Sequence, residues 1–167
     1  MIYLPKRGVF LHVPRTGGNS VTAAIASVTA GRGIDCFIST GGGLPPFLNR
    51  HQRVALVKQR IKEWDSVYKF AVKRDSEERM KSYMRLRDRD RRLKVYEQPT
   101  CTPKWAEFLL EPNPEDKVIN EINYWDKLDY AAHDIDLIPF EDLNDRWPEI
   151  CDSLQIPRCE LPHLNKG

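Results

Sequence analysis

Residues 7–13 (RGVFLHV) form a β-branched and aromatic run that stops at Pro14. A short turn, PRTGG, leads from it into the helix-like stretch NSVTAAIASVTA of residues 19–30. This order predicts a strand, a glycine turn and a helix in immediate succession. At such a junction the first backbone N–H groups of the helix and its positive dipole end make an anion site. Gly17 and Gly18 let the backbone approach the anion closely. The segment is not a Walker A loop. With Gly18-Asn19-Ser20 aligned on G-K-[ST], Val13 falls where the first glycine belongs and Asn19 where the lysine belongs. That mismatch disfavours a machine built on a γ-phosphate and Mg²⁺. Taken alone, the segment reads equally well as a plain turn joining strand to helix.

The rest of the chain repeats the alternation. Residues 68–72 (YKFAV) predict a second strand, residues 135–140 (IDLIPF) a third, and residues 36–39 a short one. Val54, Leu56, Val57, Ile61 and Trp64 recur at helical spacing within residues 51–64, and further helices are expected over 76–92, 104–110, 115–128 and 145–154. Ser76 is the expected N-cap of the helix at 76–92, with Glu77 and Glu78 in its first turn. Strands separated by helices predict a parallel sheet covered on both faces, hence a three-layer, P-loop-like α/β fold in one domain over residues 1–167. At 167 residues such a core buries roughly 70% of the unfolded chain's surface and needs no metal or disulfide staple.

Charge is unevenly spread although the total is only +2: residues 1–100 hold 20 basic and 9 acidic groups, residues 101–167 hold 6 and 15. Anion binding is therefore expected in the first half. Cys36, Cys101, Cys151 and Cys159 have neither CxxC spacing nor a histidine-rich neighbourhood, so reduced thiols and no metal are expected. No apolar run approaches the roughly 20 residues of a membrane span, and the N-terminus lacks the character of a signal peptide, so a cytoplasmic protein with no membrane partner is expected. The run 85–94 carries six basic and two acidic residues and reads as a solvated helix face in preference to an acceptor-attracting patch. No aromatic residue interrupts it to stack on bases, so nucleic acid is not an expected partner.

A second constellation spans residues 70–83. Arg74 ends the second strand and Ser82 sits two turns along the next helix, a spacing at which both can reach one phosphate. A charged helix face with internal pairs such as Glu78 with Lys81 accounts for the same residues. Together the two constellations resemble the sulfotransferases that use 3′-phosphoadenosine 5′-phosphosulfate, most closely the carbohydrate (heparan-sulfate-type) branch. The first signature, F-x-H-x-P-K-T-G-G-T-S, is met by Phe10, His12, Pro14, Thr16, Gly17, Gly18 and Ser20. The second, F-x-x-V-R-[ND]-P-x-x-R-x-x-S, is met by Phe70, Arg74, Asp75, Arg79 and Ser82. A third stretch, residues 138–143 with Trp147, Ile150, Leu154 and residues 161–166, looks like the family's C-terminal strand, helix and phosphate-side loop. Family members commonly continue beyond residues 165–167, so a minimal enzyme, a C-terminally shortened one and a degenerate cofactor-binding protein all stay open.

The resemblance implies sulfuryl transfer to a hydroxyl acceptor, a sugar or glycan. It implies that the backbone of Thr16, Gly17, Gly18 and Asn19 and the Ser20 hydroxyl hold the 5′-phosphosulfate, while Arg74 and Ser82, with Lys166, hold the 3′-phosphate. Arg15, where the family has lysine, is assigned to the leaving phosphate, and His51 to the base that takes the acceptor proton. Arginine keeps the charge at that position but cannot give up a proton. Ser76 replaces the family's proline, and both residues suit a helix start. His12 reads as a packed histidine, and His133 and His163 are weaker candidates than His51. Residues 31–50 and 95–114 are expected to shape the acceptor side, the former as a lid. The rival readings are a catalytically degenerate nucleotide- or nucleic-acid-binding module and an ATP-dependent small-molecule kinase.

Overall fold

The computed structural model describes residues 1–39 and 53–162. The chain divides into two compact units, the first made of residues 1–74 with 129–167 and the second of residues 75–128. Within the first unit lie strands β1 (Ile2–Leu4), β2 (Gly8–Leu11), β3 (Phe37–Ile38), β4 (Tyr68–Lys73) and β5 (Asp136–Pro139), with helices α1 (Gly18–Thr29), α2 (Val54–Arg60) and α6 (Leu143–Ser153). The second unit holds α3 (Ser76–Arg92), α4 (Pro103–Leu110) and α5 (Glu115–Asp126). Among the described residues no helix is long and apolar enough to cross a membrane.

The five strands form one sheet in the order β3-β1-β2-β4-β5. The three strands expected to be parallel are so: Phe10 pairs with Phe70 between β2 and β4, and Val72 with Ile138 between β4 and β5. The sheet as a whole is mixed, which corrects the expectation of a parallel one. β1 runs antiparallel to both β2 and β3. Its cause is a tight reversal after Leu4, in which the Arg7 N–H donates to the Leu4 carbonyl at 3.0 Å and Lys6 takes the left-handed conformation at φ 62°.

Side chains alternate across a strand, and the alternation sorts the core of the first unit into two sides. Ile2, Leu4, Phe10, Phe70, Val72 and Ile138 share one side and pack with Val21, Ala24, Ile25 and Val28 of α1 and with Trp147, Ile150 and Cys151 of α6 in one buried cluster. Lys69, between Tyr68 and Phe70, points to the other side. There its ammonium donates to the carbonyls of Trp64 and Val67 at 2.8 and 2.9 Å and pairs with Asp134 at 2.8 Å. Three acceptors match its three donors, which is what makes a buried lysine tolerable. Val54 and Val57 of α2 and Trp64 are buried apart from the first cluster. Helices thus flank this sheet, as an α/β unit requires.

In the second unit the charged sequence of α3 turns out to be partly interior. Arg79 is 1% exposed and donates to Asp126 of α5 at 2.7 Å, and Asp126 also accepts from the Ser76 hydroxyl. Arg87 is buried and donates to the carbonyls of Phe108 and Glu111, and buried Asp90 accepts from the Trp105 indole at 3.2 Å. The run 85–94 is therefore not simply a solvated face: two of its members tie α3 to α4 and the segment after it. The helix spans the expected residues 76–92, but its N-cap is Asp75 and not Ser76, the Asp75 carboxylate accepting from the Glu78 N–H at 3.0 Å. The helix expected over 51–64 is shorter, covering Val54–Arg60 and followed by a 3₁₀ turn at Trp64–Ser66.

Candidate functional site

The site is built where β2 hands over to α1. His12, the residue after β2, is 5% exposed and stacks on Phe10 at 5.6 Å between ring centroids. Its ring lies so close to α1 that a Cβ added to Gly18 would come within 2.1 Å of Nε2. Gly18 is therefore required by packing, and His12 is the packed histidine the sequence suggested. Thr16 is fully buried and turns its hydroxyl inward to donate to the Val13 carbonyl at 2.9 Å. Its side chain thereby braces the loop.

The loop conformation is unusual. Arg15 has φ 64° and Gly17 φ 83° with ψ 6°, both left-handed, and α1 starts immediately after at Gly18. A left-handed residue followed by a right-handed one turns successive N–H groups toward a common point, the concavity that binds anions. For Arg15, which carries a Cβ, that conformation costs about 1 kcal/mol, a cost such sites commonly hold. The N-cap Gly17 offers no side-chain hydrogen bond, and the first turn of α1 contains no acidic residue. The first N–H groups of any α-helix lack intrahelical partners, so the Gly18 and Asn19 amides have none within α1, at the end where the dipole favours an anion.

Two further residues of the first unit reach this point. Phe140 follows β5, its N–H bonded to the Lys73 carbonyl at 2.7 Å, and its ring lies 2.8 Å from where a Cβ on Gly17 would be. Arg74, just past β4, holds its guanidinium carbon 5.0 Å from the centroid of the same ring. The ring thus connects the glycine loop to Arg74 at the carboxyl ends of three parallel strands, the edge where open α/β sheets bind ligands. A cation over an aromatic face gains attraction from the ring quadrupole. The sequence reading places Phe140 at the end of a strand and in the stretch 138–143, without assigning it to the site. The residues it meets lie more than sixty positions away in sequence, and nothing local in IDLIPF signals the contact.

Arg15, Thr16, Gly17, Gly18, Asn19, Ser20 and Arg74 thus belong to the first unit, at or next to the carboxyl edge of the sheet. Ser82 belongs to the second unit, where it is buried on α3 three residues after Arg79. His51, His163 and Lys166 fall outside the described residues, as does most of the expected lid. His133 lies in the 3₁₀ turn Ala131–His133 before β5. The opposite edge of the sheet is chemically different. At the amino ends of β4 and β5, the Tyr68 hydroxyl donates to Asp136 at 2.7 Å and Arg146 pairs with the same carboxylate at 2.9 Å. Burial first, and the bond to Asp136 second, push the Tyr68 phenol well above its ordinary range, so it serves as a fixed donor. Among the described residues no three His, Cys, Asp or Glu side chains are grouped to hold a metal ion. No family model, no curated protein and no solved structure matches the chain.

Proposed function

We propose that the protein is a sulfotransferase of P-loop-like architecture that moves the sulfuryl group of 3′-phosphoadenosine 5′-phosphosulfate to a hydroxyl acceptor, a sugar or glycan. The observation that carries this reading is the bare, glycine-built start of α1 at the carboxyl end of β2, with Arg74 held beside it on the Phe140 ring. These groups suit a cofactor with separate anionic ends. The amides of Gly17, Gly18 and Asn19 match non-bridging oxygens of the 5′-phosphosulfate, and Arg74 supplies a planar donor edge for a phosphate. When bound, the cofactor supplies a sulfuryl group on an activated phosphate.

The chain's own residues have distinct tasks in this reading. The Gly17–Asn19 amides and the Ser20 hydroxyl hold the donor end in line and draw off charge that grows on the oxygen bridging sulfur to phosphorus. Arg15 adds positive charge at the leaving phosphate through hydrogen bonds, since a guanidinium keeps its proton at any working pH. His51 takes the proton of the acceptor hydroxyl on a ring nitrogen. Arg74 takes the 3′-phosphate through its guanidinium. In-line displacement of this kind depends mostly on positioning and charge, which is what a loop of fixed amides provides.

Calorimetric titration with 3′-phosphoadenosine 5′-phosphate, beside ADP and ATP with Mg²⁺, tests the cofactor class. Micromolar binding of the first ligand alone is expected, weakened about 10- to 100-fold in Arg74→Ala through loss of a charge-assisted contact. Preferential binding of ATP, or of none of the three, overturns the reading in favour of a kinase or a non-enzymatic module. In His51→Ala, turnover is expected to fall about 100-fold or more while affinity for the cofactor product is kept. Near-normal turnover removes that role.

A further inference from the structure

Cys151 and Cys159 lie in the first unit, away from the anion loop, and the proposed function makes no use of them. Cys151 sits on α6, one turn after Trp147, and is fully buried in the cluster against α1. The chain turns after α6, where the Ile156 N–H donates to the Cys151 carbonyl at 3.0 Å, and comes back along the helix. Trp147 fixes the return by donating its indole N–H to the Cys159 carbonyl at 2.9 Å. The Cys159 thiol then points inward and donates to the Ala24 carbonyl of α1 at 3.7 Å. Cys151 and Cys159 are thus brought into one packed cluster where α6 and the returning chain meet α1. Both are unbonded thiols, and Cys159 keeps partial exposure.

We propose that Cys151 and Cys159 form a thiol–disulfide modification site, closed by a small-molecule disulfide and reopened by a thiol. The two other cysteines are placed differently. Cys36 precedes β3 and is partly buried, while Cys101 donates to the Thr102 carbonyl in the second unit. Closure starts at the partly exposed Cys159. Its thiolate attacks one sulfur of the disulfide RSSR, forming Cys159–S–SR and releasing RS⁻, which takes up the proton lost by Cys159. The Cys151 thiolate then attacks the Cys159 sulfur and expels the second RS⁻, which takes up the Cys151 proton. The two protein thiols are oxidised to one disulfide and RSSR is reduced to two RSH. Burial pushes the Cys151 thiol up to about 11, so the second step is slow at neutral pH and quickens as the solution becomes alkaline. The product fastens the chain after α6 to that helix, beside the α1 carbonyl that Cys159 already touches.

The wild-type chain, reduced and freed of reductant, is incubated folded with excess glutathione disulfide, quenched in acid, alkylated with iodoacetamide and digested with trypsin. Cleavage after Arg146 and after Arg158 puts the two cysteines on separate peptides, so only a disulfide holds these together. The expected result is that linked pair of peptides, with neither cysteine alkylated, and its disappearance on treatment with dithiothreitol. Alkylation of both cysteines, or glutathione retained on Cys159 as a lasting mixed disulfide, overturns the proposal.

Discussion

Helices α1 and α3 both begin just past the carboxyl end of a parallel strand, one after β2 and the other after β4, yet their first turns are built in opposite ways. At α3 the chain satisfies its own helix end. Asp75 accepts from the Glu78 amide, Glu77 and Glu78 stand in the first turn, and Lys81 returns to both at 2.9 and 3.1 Å. The bonds to the two glutamates hold the Lys81 ammonium above its ordinary range. At α1 the cap is a left-handed glycine without a side chain, the next residue is another glycine, and no carboxylate follows in the first turn. What α1 forgoes in capping is offset by its buried face, where Val21, Ala24, Ile25 and Val28 pack into the core. Capping residues and an anionic ligand compete for the same amides. Of the two helix starts, the one without a side-chain cap or a first-turn carboxylate is the one suited to an anion.

The strongest way to break this comparison is at Gly18. Gly18→Ala drives a methyl group into the buried His12 ring, so the protein is expected to lose about 2 kcal/mol of stability and its affinity for 3′-phosphoadenosine 5′-phosphate by about tenfold or more. Denaturant unfolding and calorimetry read the two effects. A variant as stable as the wild type would show that the loop yields easily and that its shape is not imposed by packing. Asn19→Asp instead makes α1 resemble α3 by placing a carboxylate in the first turn. Thermal stability should hold or rise by about 0.5 kcal/mol, while the carboxylate weakens the same ligand about tenfold. Unchanged affinity in that variant would mean the anion sits elsewhere. The smallest effect is expected at the other helix. Asp75→Ala removes the α3 cap at a cost of about 1 kcal/mol, seen as a lower melting temperature, and changes ligand affinity by no more than about twofold.

Much of the fold was legible because its signals are local. The runs RGVFLHV and YKFAV, and the segment before α6, carry the β-branched and aromatic character of buried strands, and the helices fall within a few residues of their apolar periodicity. β1 escaped as a separate strand because the reversal after it uses Pro5-Lys6-Arg7, with lysine where a left-handed turn usually shows glycine or asparagine. Burial of Arg87 and Asp90 was hidden for a different reason. A charged pattern reads as solvated unless its partners are known, and those partners, Trp105, Phe108 and Glu111, are set by how α4 returns to α3. Ser76 was the wrong cap because Asp75 and Ser76 are both good capping residues, and only the backbone decides between them. At the site, the glycine turn was visible in the sequence, but Phe140 was not. Its part depends on β5 ending beside β4, which is a fact of sheet order.

The central claim is that the start of α1 receives the 5′ end of the cofactor. Backbone amide resonances of ¹⁵N-labelled protein, followed through a titration with 3′-phosphoadenosine 5′-phosphate, test it most directly. The account predicts that the amides of Gly17, Gly18, Asn19 and Ser20 shift progressively and saturate together, while those of Glu77 and Glu78 in the capped first turn of α3 stay in place. Saturable shifts at Glu77 and Glu78 with the α1 amides unmoved would contradict it.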